Sequence, residues 1–204
     1  MALFRLSPVS YAVPLVRGEG IYLRPPEMRD HEAWAGLRGR SRAFLTPWEP
    51  AWPADDLTRA SFRRRLRHNQ QEIANDEAYP FLIFRDDDNL LVGGLSLGQV
   101  RRGVVQAAIL GYWIGEPYAR QGFMSLALRA AIGYAFTTLR LHRIEASCLP
   151  HNEASKKLLE RTGFTREGYA RAYLRINAVW QDHLLYGLLE TDPVPLRAAR
   201  RNKD

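Results

Sequence analysis

The part of the chain that most constrains its fold lies between Ala108 and Thr138. An apolar run rich in β-branched and aromatic residues ends at Gly115-Glu116-Pro117, and a proline-free helical pattern begins after Gly122. This order predicts a strand, a short loop and a helix that ends near Thr138. Apolar residues of the helix recur at spacings of four, three and four on the face that can pack on the strand: Met124, Leu128, Ala131 and Ala135.

The loop between this strand and this helix is a candidate anion-binding site. Backbone N–H groups in the first turn of a helix have no intrahelical partner, and they lie at the positive end of the helix dipole. Gly122 has no Cβ, so a pyrophosphate could approach the backbone closely there. A single glycine is also typical of an ordinary tight connection, and the loop alone leaves both interpretations open.

A second strand and helix follow, with Asn152 as a typical helix start and Gly163 as a typical stop. With these elements the chain resembles the GCN5-related N-acetyltransferase superfamily. The acetyl-CoA site of that superfamily is a Gln/Arg-x-x-Gly-x-Gly/Ala loop followed by a strand and an Asn-started helix. The resemblance spans residues 20–191, and the segments 167–177 and 180–183 are most similar to the ribosomal-protein-alanine N-acetyltransferase branch.

The resemblance implies a set of donor-binding residues. Two loop positions differ from the family pattern, because Ala119 precedes Arg120 where Gln or Arg is usual and Met124 replaces the second small residue. Acetyl-CoA is the implied acetyl donor, without a metal. The implied contacts are the pantetheine strand, the pyrophosphate loop and the second helix start: Tyr112, Trp113, Ile114, Arg120, Gln121, Gly122, Phe123, Met124, Ser125, Asn152 and Ser155.

The resemblance also implies a catalytic acid. Ser155, three residues after Asn152, is implied as the acid that protonates the departing thiolate. A solvent-facing serine is the alternative.

The resemblance implies no base, because residues 173–175 hold no carboxylate where a related branch has a glutamate on the strand after Gly-Phe. By position alone, Glu116, which directly follows the cofactor strand, and Glu49 in the supposed groove loop are candidate bases. His183 is another candidate, although a structural histidine paired with Asp182 is the preferred interpretation.

The acceptor side is less defined by sequence. The segment 42–53 holds three prolines and two tryptophans, so it can be neither a regular helix nor a central strand. Its position resembles the loop that forms one wall of the acceptor groove in the family, which makes Trp48, Glu49 and Trp52 candidate groove residues. A local Trp/Pro packing plug is the alternative.

Composition limits the other possibilities. A length of 204 residues with 46% hydrophobic content favours one domain at residues 20–192, with an N-terminal arm at 1–19 and a basic tail at 193–204. There is no apolar run of about 18 residues to span a membrane, and the N-terminus does not resemble a signal peptide. Cys148 is interpreted as a small buried residue in a reducing cytoplasm.

The net charge of +7 is concentrated in the segment Arg59–His68 and in the tail. Such segments can contact ribosomal RNA, although a solvated helix face is the plainer interpretation. We expect helices after the first strand, one of them starting at Asp55, then an antiparallel meander, a βαβ unit whose first strand starts at Val104, and a closing hairpin, which is an α/β or α+β domain. The resemblance adds a mixed, mostly antiparallel twisted sheet, flanked by helices, whose splayed central strand pair holds acetyl-CoA.

The expected function is acetyl transfer from acetyl-CoA to a primary amine, the N-terminal α-amino group of a ribosomal protein that begins with Ala. An α-amino group has a pKa of roughly 7.7–8.0 and a lysine about 10.4, so a site without a clear base suits the former. The alternatives are a small amine acceptor, such as a polyamine, an amino acid or an aminoglycoside, and a ribosome- or RNA-associated binding factor. The sequence leaves monomer and dimer open.

Overall fold

The structure, a computed structural model, describes residues 15–193. Its strands are β1 Val16–Gly18, β2 Ile21–Arg24, β3 Tyr79–Arg85, β4 Leu91–Arg101, β5 Ala107–Ile114, β6 Arg143–Cys148, β7 Thr165–Ile176 and β8 Val179–Leu189. The α-helices are α1 His31–Arg40, α2 Arg42–Leu45, α3 Arg59–Ala74, α4 Phe123–Thr137 and α5 Glu153–Arg161. No helix within residues 15–193 is long and apolar enough to cross a membrane.

The strands form one eight-stranded sheet in the order β1-β2-β3-β4-β5-β6-β8-β7. Neighbours are antiparallel except for β5 and β6, which α4 connects as a parallel βαβ unit. Helices α4 and α5 cover one face, and α1 and α3 cover part of the other, each over its own apolar cluster. This arrangement confirms the predicted mixed, mostly antiparallel sheet flanked by helices.

The parallel pair opens halfway along its length. Strands β5 and β6 pair only between residues 107–109 and 143–145. Beyond that point β5 stays paired with β4, and β6 stays paired with β8. We call the resulting gap the wedge. It confirms the splayed central strand pair that the family resemblance implied.

Helix α4 packs on the sheet through the predicted face. Met124, Leu128, Ala131 and Ala135 are all buried in the larger cluster. The helix begins after Gly122, whose φ of 91° lies in the left-handed region that favours glycine. The strand–loop–helix prediction for this stretch is therefore confirmed, with α4 ending at Thr137.

Two element boundaries differ from the predicted ones. Helix α3 begins at Arg59 rather than at Asp55, because the Thr58 side chain caps it by accepting the Ser61 N–H at 3.2 Å. Strand β5 begins at Ala107 rather than at Val104. A register shift near the end of β4 widens the connection, and the valines of that connection stay exposed.

The predicted N-terminal arm, residues 1–19, includes the first strand of the sheet. Strand β1 pairs with β2, so the sheet begins inside the range predicted as an arm. The segment expected to be irregular contains the single helical turn α2 and a 3-10 turn at Thr46–Trp48. Residues 1–14 and 194–204, with the basic residues of the tail, lie outside the described part of the chain.

Candidate functional site

A pair of hydroxyl groups bridges the wedge. The Tyr112 hydroxyl on β5 and Ser155 Oγ in the first turn of α5 are 2.6 Å apart. Asn152 caps α5, and its Oδ1 accepts the Ser155 N–H at 3.0 Å. The structure therefore brings Asn152 and Ser155 together with the cofactor strand, as the resemblance implied. Sequence reasoning included Tyr112 as a strand residue and missed its hydroxyl.

Burial affects the ionisation of the Tyr112 hydroxyl. It raises the pKa of Tyr112, and the hydrogen bond with Ser155 opposes that rise without cancelling it. A phenol is neutral at physiological pH in any case, so burial extends the pH range over which Tyr112 keeps its proton. Burial likewise raises the pKa of the neighbouring Cys148 thiol, against the opposing effects of Ser155 and Lys156. Cys148 is buried, which confirms its interpretation as a small interior residue.

The loop after β5 forms an open cradle at the start of α4. It contains a 3-10 turn at Glu116–Tyr118, and Arg120 and Gly122 both have positive φ. No side chain caps α4, so the N–H groups of its first turn remain available. A Cβ built on Gly122 would meet no atom within 4 Å, so the space in front of the loop is open. These features fit a pyrophosphate.

The side chains of the loop differ in their surroundings. Met124 is buried in the core, so only its backbone faces the cradle. Gln121 Nε2 donates to the Pro117 carbonyl at 2.7 Å, which braces the turn. The Phe123 ring lies edge-on to Tyr118. Arg120 in the loop is exposed, and Ser125 in the first turn of α4 is partly exposed. Their contacts to a donor remain predictions.

The segment between α1 and α3, residues 41–58, is called the acceptor loop. Its Glu49 carboxylate accepts two hydrogen bonds from Arg38, at 3.2 and 2.7 Å, and one from Trp52 Nε1 at 2.8 Å. The Glu49 carbonyl also accepts the Asn177 N–H, from the β7–β8 turn, at 3.0 Å. Glu49 and Trp52 therefore make hydrogen bonds within the fold, and their contacts to an acceptor remain predictions.

Arg38 joins the acceptor loop to the cofactor strand. Its guanidinium lies 4.2 Å from the Trp52 ring and 5.0 Å from the Trp113 ring on β5. Its Nε is buried without a hydrogen-bond partner, alone in this respect among the side chains of residues 15–193. Trp48 is 37% exposed and lies 5.6 Å from the His151 ring. Trp48 is thus the most exposed aromatic side chain of the acceptor loop.

The candidate bases lie apart from one another. Glu116 is exposed beyond the end of β5, and its backbone N–H donates to Ser41 Oγ at 2.9 Å. The predicted pairing of His183 with Asp182 is wrong. Asp182 accepts from the Tyr169 hydroxyl and the Ala172 N–H, whereas His183 Nδ1 contacts the Gln181 carbonyl at 3.0 Å. Adjacent strand residues face opposite sides of the sheet, which separates the two side chains.

The basic segment on α3 is partly neutralised within the fold. Arg64 pairs with Asp55, and Arg65 pairs with Asp56. The remaining arginines of the segment are exposed: Arg59, Arg63 and Arg67. An RNA contact through this segment remains a prediction. Within residues 15–193, no group of three or more His, Cys, Asp or Glu side chains is placed to hold a metal ion.

Known proteins share this architecture. A family model described as an acetyltransferase (GNAT) domain matches residues 21–165. The probable N-acetyltransferase YjcK of Bacillus subtilis is 38% identical over 178 residues, which cover 87% of this chain and 98% of that protein. The ribosomal protein uS5-alanine N-acetyltransferase of Escherichia coli is 37% identical over 172 residues, 83% of this chain and 89% of that protein.

A solved relative adds a bound form of CoA to the comparison. The structure of Mycobacterium smegmatis RimJ in complex with CoA-disulfide has a TM-score of 0.81 and 32% sequence identity, over 87% of each chain. This chain thus shares its fold with a relative that binds a form of CoA. The fold of this chain includes the sheet order, the wedge and the open helix start described above. The chain belongs to the GNAT acetyltransferase family and is an N-acetyltransferase related to the ribosomal-protein-alanine acetyltransferases.

Proposed function

We propose that this protein acetylates the N-terminal α-amino group of a ribosomal protein that begins with alanine, with acetyl-CoA as the donor. The observation that carries the catalytic part is the hydroxyl pair of Tyr112 and Ser155 across the wedge, at 2.6 Å. The Escherichia coli relative, named for alanine acetylation of ribosomal protein uS5, supports the acceptor. A ribosomal acceptor would place the reaction in the cytoplasm.

The donor site is formed mainly by the backbone. Acetyl-CoA supplies the acetyl thioester when it is bound. The free edge of β5 at the wedge can hydrogen-bond the pantetheine arm and give an N–H to the thioester oxygen. An oxyanion donor of this kind contributes about 2.7–4 kcal/mol in acyl-transfer sites. The N–H groups from Phe123 to Ser125 would hold the pyrophosphate, with Arg120 beside them.

Ser155 is the proposed acid. Its hydroxyl can protonate the departing sulfur and recover a proton from the Tyr112 hydroxyl, to which it is hydrogen-bonded. General acid catalysis contributes about 10²–10⁴-fold to rate in enzymes. The Asn152 cap fixes the first turn of α5, so Ser155 is held where β5 faces it.

The acceptor surface suits the end of a protein. The acceptor loop meets the β7–β8 turn through Glu49 and Asn177, and Trp48 is exposed at this junction. The hairpin beside it exposes apolar side chains, most of all Trp180 at 63%. An exposed apolar surface beside a reactive site is typical of protein recognition. We therefore assign the hairpin and Trp48 to docking of the acceptor protein.

Thiol release from acetyl-CoA tests the proposal. The panel contains a ribosomal-protein N-terminal peptide beginning with Ala, the same peptide already acetylated, spermidine and an aminoglycoside. We expect release with the free peptide alone. Release only with the small amines would assign the protein to small-molecule acetylation. If no amine gives thiol release although acetyl-CoA binds, the result would instead favour a ribosome- or RNA-associated binding factor.

A further inference from the structure

We propose that His183 is the general base that takes a proton from the acceptor amine. His183 lies on β8 and is only 3% exposed, and the steps above give it no role. This inference rests on the proposed acetylation of an amine, and it adds the group that deprotonates that amine. Imidazole is the side chain that enzymes use most often for this purpose.

The hydrogen bonding of the ring fixes its tautomer. His183 Nδ1 lies 3.0 Å from the Gln181 carbonyl oxygen. A carbonyl oxygen only accepts, so Nδ1 carries the proton of the neutral ring and the lone pair is on Nε2. Nε2 has no hydrogen-bond partner among residues 15–193. The neutral ring is thus oriented by its donor nitrogen and has its basic nitrogen available.

The strand register places His183 at the mouth of the wedge. Cys148, the last residue of β6, pairs with Leu184, so His183 lies one residue beyond the last β6–β8 pair. The last pair of β5 with β6 is Ile109–Glu145. Counting four positions along β5 from this pair leads to Trp113, and counting four along β6 leads to Leu149, one position past the last β6–β8 pair. By this count, His183 on β8 and Trp113 on β5 lie at the same level along the sheet, where β5 and β6 have separated.

Side-chain alternation decides the face on which His183 lies. Leu184 and Tyr112 pack toward α4 and α5, so His183 and Trp113 face the other side of the sheet. Trp113 belongs to the cluster formed with α1 and α3. The Tyr173 ring, 42% exposed, lies edge-on at 5.8 Å from the His183 ring and partly covers it. His183 therefore lies on the acceptor-loop side, behind one exposed aromatic ring.

The hydroxyl pair and His183 consequently lie on opposite faces of the sheet at the wedge. Ser155 and Tyr112 face α5, where the sulfur would leave, and His183 faces the acceptor loop, where an amine would arrive. Proton removal on one side and proton delivery on the other is the arrangement that aminolysis of a thioester needs. A base can act directly or through one water molecule.

The acceptor ammonium gives one proton to Nε2 of His183, which later releases it to solvent. The neutral nitrogen then forms a bond to the thioester carbonyl carbon. The carbon–sulfur bond breaks, the sulfur takes the bonding electron pair and a proton from Ser155, and the new amide nitrogen loses its remaining surplus proton, which restores the hydroxyl pair. The net products are the amide, the free thiol and one proton.

The groups next to His183 do not prevent it from acting as a base. Tyr173 on β7 faces the ring, and Asp182 adjoins it on β8, with Arg171 close to that carboxylate. The Tyr169 hydroxyl and the Ala172 N–H hydrogen-bond the Asp182 carboxylate, and these bonds hold the pKa of Asp182 below its usual value. Asp182 therefore remains a carboxylate near the ring without a hydrogen bond to it.

The test uses His183→Asn, because the asparagine amide can replace the Nδ1 donor but offers no basic nitrogen. We expect kcat/KM for the accepted amine to fall about 100-fold near neutral pH. The loss should shrink as the pH passes the pKa of the α-amine, roughly 7.7–8.0. Acetyl-CoA affinity should not change. His142→Asn, at the opposite end of β6, is the matched control and should behave as wild type.

An unchanged rate, or an equal loss at every pH, would overturn the role of His183 while leaving the proposed function intact. A wild-type protein that acetylates none of the amines would count against both the role of His183 and the proposed function. If His183→Asn does not fold, the wild type is compared with acceptor peptides of different terminal pKa. If His183 is the base, the pH at which kcat changes should be the same for every acceptor peptide. A change whose pH follows each acceptor's own pKa would contradict the role of His183.

Discussion

The donor side and the acceptor side of this molecule are held together in different ways. On the donor side, β5, the following loop and α4 are contiguous in sequence, and α5 is fixed by its own Asn152 cap. On the acceptor side, Glu49 accepts hydrogen bonds from Arg38 of α1, 11 residues earlier, and from Asn177 in the β7–β8 turn, which is far away in the chain. The donor cradle is thus built mainly from local backbone geometry, whereas the hydroxyl pair and the acceptor loop depend on contacts between separate elements.

The hydroxyl pair is where changes should affect rate most. Ser155→Ala and Tyr112→Phe should each lower kcat by about 100-fold or more, because each removes one step of proton delivery to sulfur. The double variant should lose little more than either single variant, because the two groups act as a unit. Single-turnover kinetics with measured acetyl-CoA affinity checks this. If the two losses added fully, Ser155 and Tyr112 would act independently and not as a unit.

Glu49 tests the acceptor side. Glu49→Gln leaves the Arg38 charge without its counter-ion, at a side chain that is only 10% exposed. We expect a loss of about 2 kcal/mol in unfolding free energy, which is about 4–8 °C in Tm for a domain of this size. The KM for the acceptor should rise while acetyl-CoA affinity holds.

Thermal unfolding and acceptor titrations measure both effects. Glu153→Gln, which breaks the exposed ion pair with Lys156, is the matched control and should leave Tm unchanged. Equal loss of donor and acceptor binding in Glu49→Gln would contradict the separation of the two sides.

Gly122 tests the donor cradle. Its φ of 91° is strained for any residue with a Cβ, so Gly122→Ala should cost about 1 kcal/mol and move the loop. We expect acetyl-CoA affinity to fall about tenfold, which corresponds to about 1.4 kcal/mol. Calorimetric titration measures it. Gly133→Ala, in the exposed middle of α4, should instead stabilise the protein by about 0.5–1 kcal/mol and leave affinity unchanged.

The smallest expected effect is at alkaline pH. Burial raises the pKa of Tyr112 above its ordinary value of about 10. A group with a raised folded-state pKa contributes its full stability below the unfolded pKa, and the contribution is lost as the pH rises further. Stability should therefore decline above about pH 10, and Tyr112→Phe should make that decline shallower. Denaturant unfolding across this range checks the slope.

Local signals made much of this molecule predictable. The apolar spacing of α4, the Asn152 start and the Gly163 stop of α5, and the hairpins were visible because propensity and periodicity act within a few residues. The starts of α3 and β5 were misplaced, since a Thr58 cap and a β4 register shift decided them. The Asp182–His183 pairing failed because strand alternation separates neighbours.

The sequence by itself determined the order of elements, the open start of α4 and, through the family resemblance, acetyl transfer. These depend on backbone groups and on residues close together in the chain. Only the tertiary structure decided that the Tyr112 hydroxyl meets Ser155, that Glu49 is tied to Arg38, and that His183 faces the acceptor loop. The reason is that strand register and helix packing set such contacts, and no local pattern encodes them.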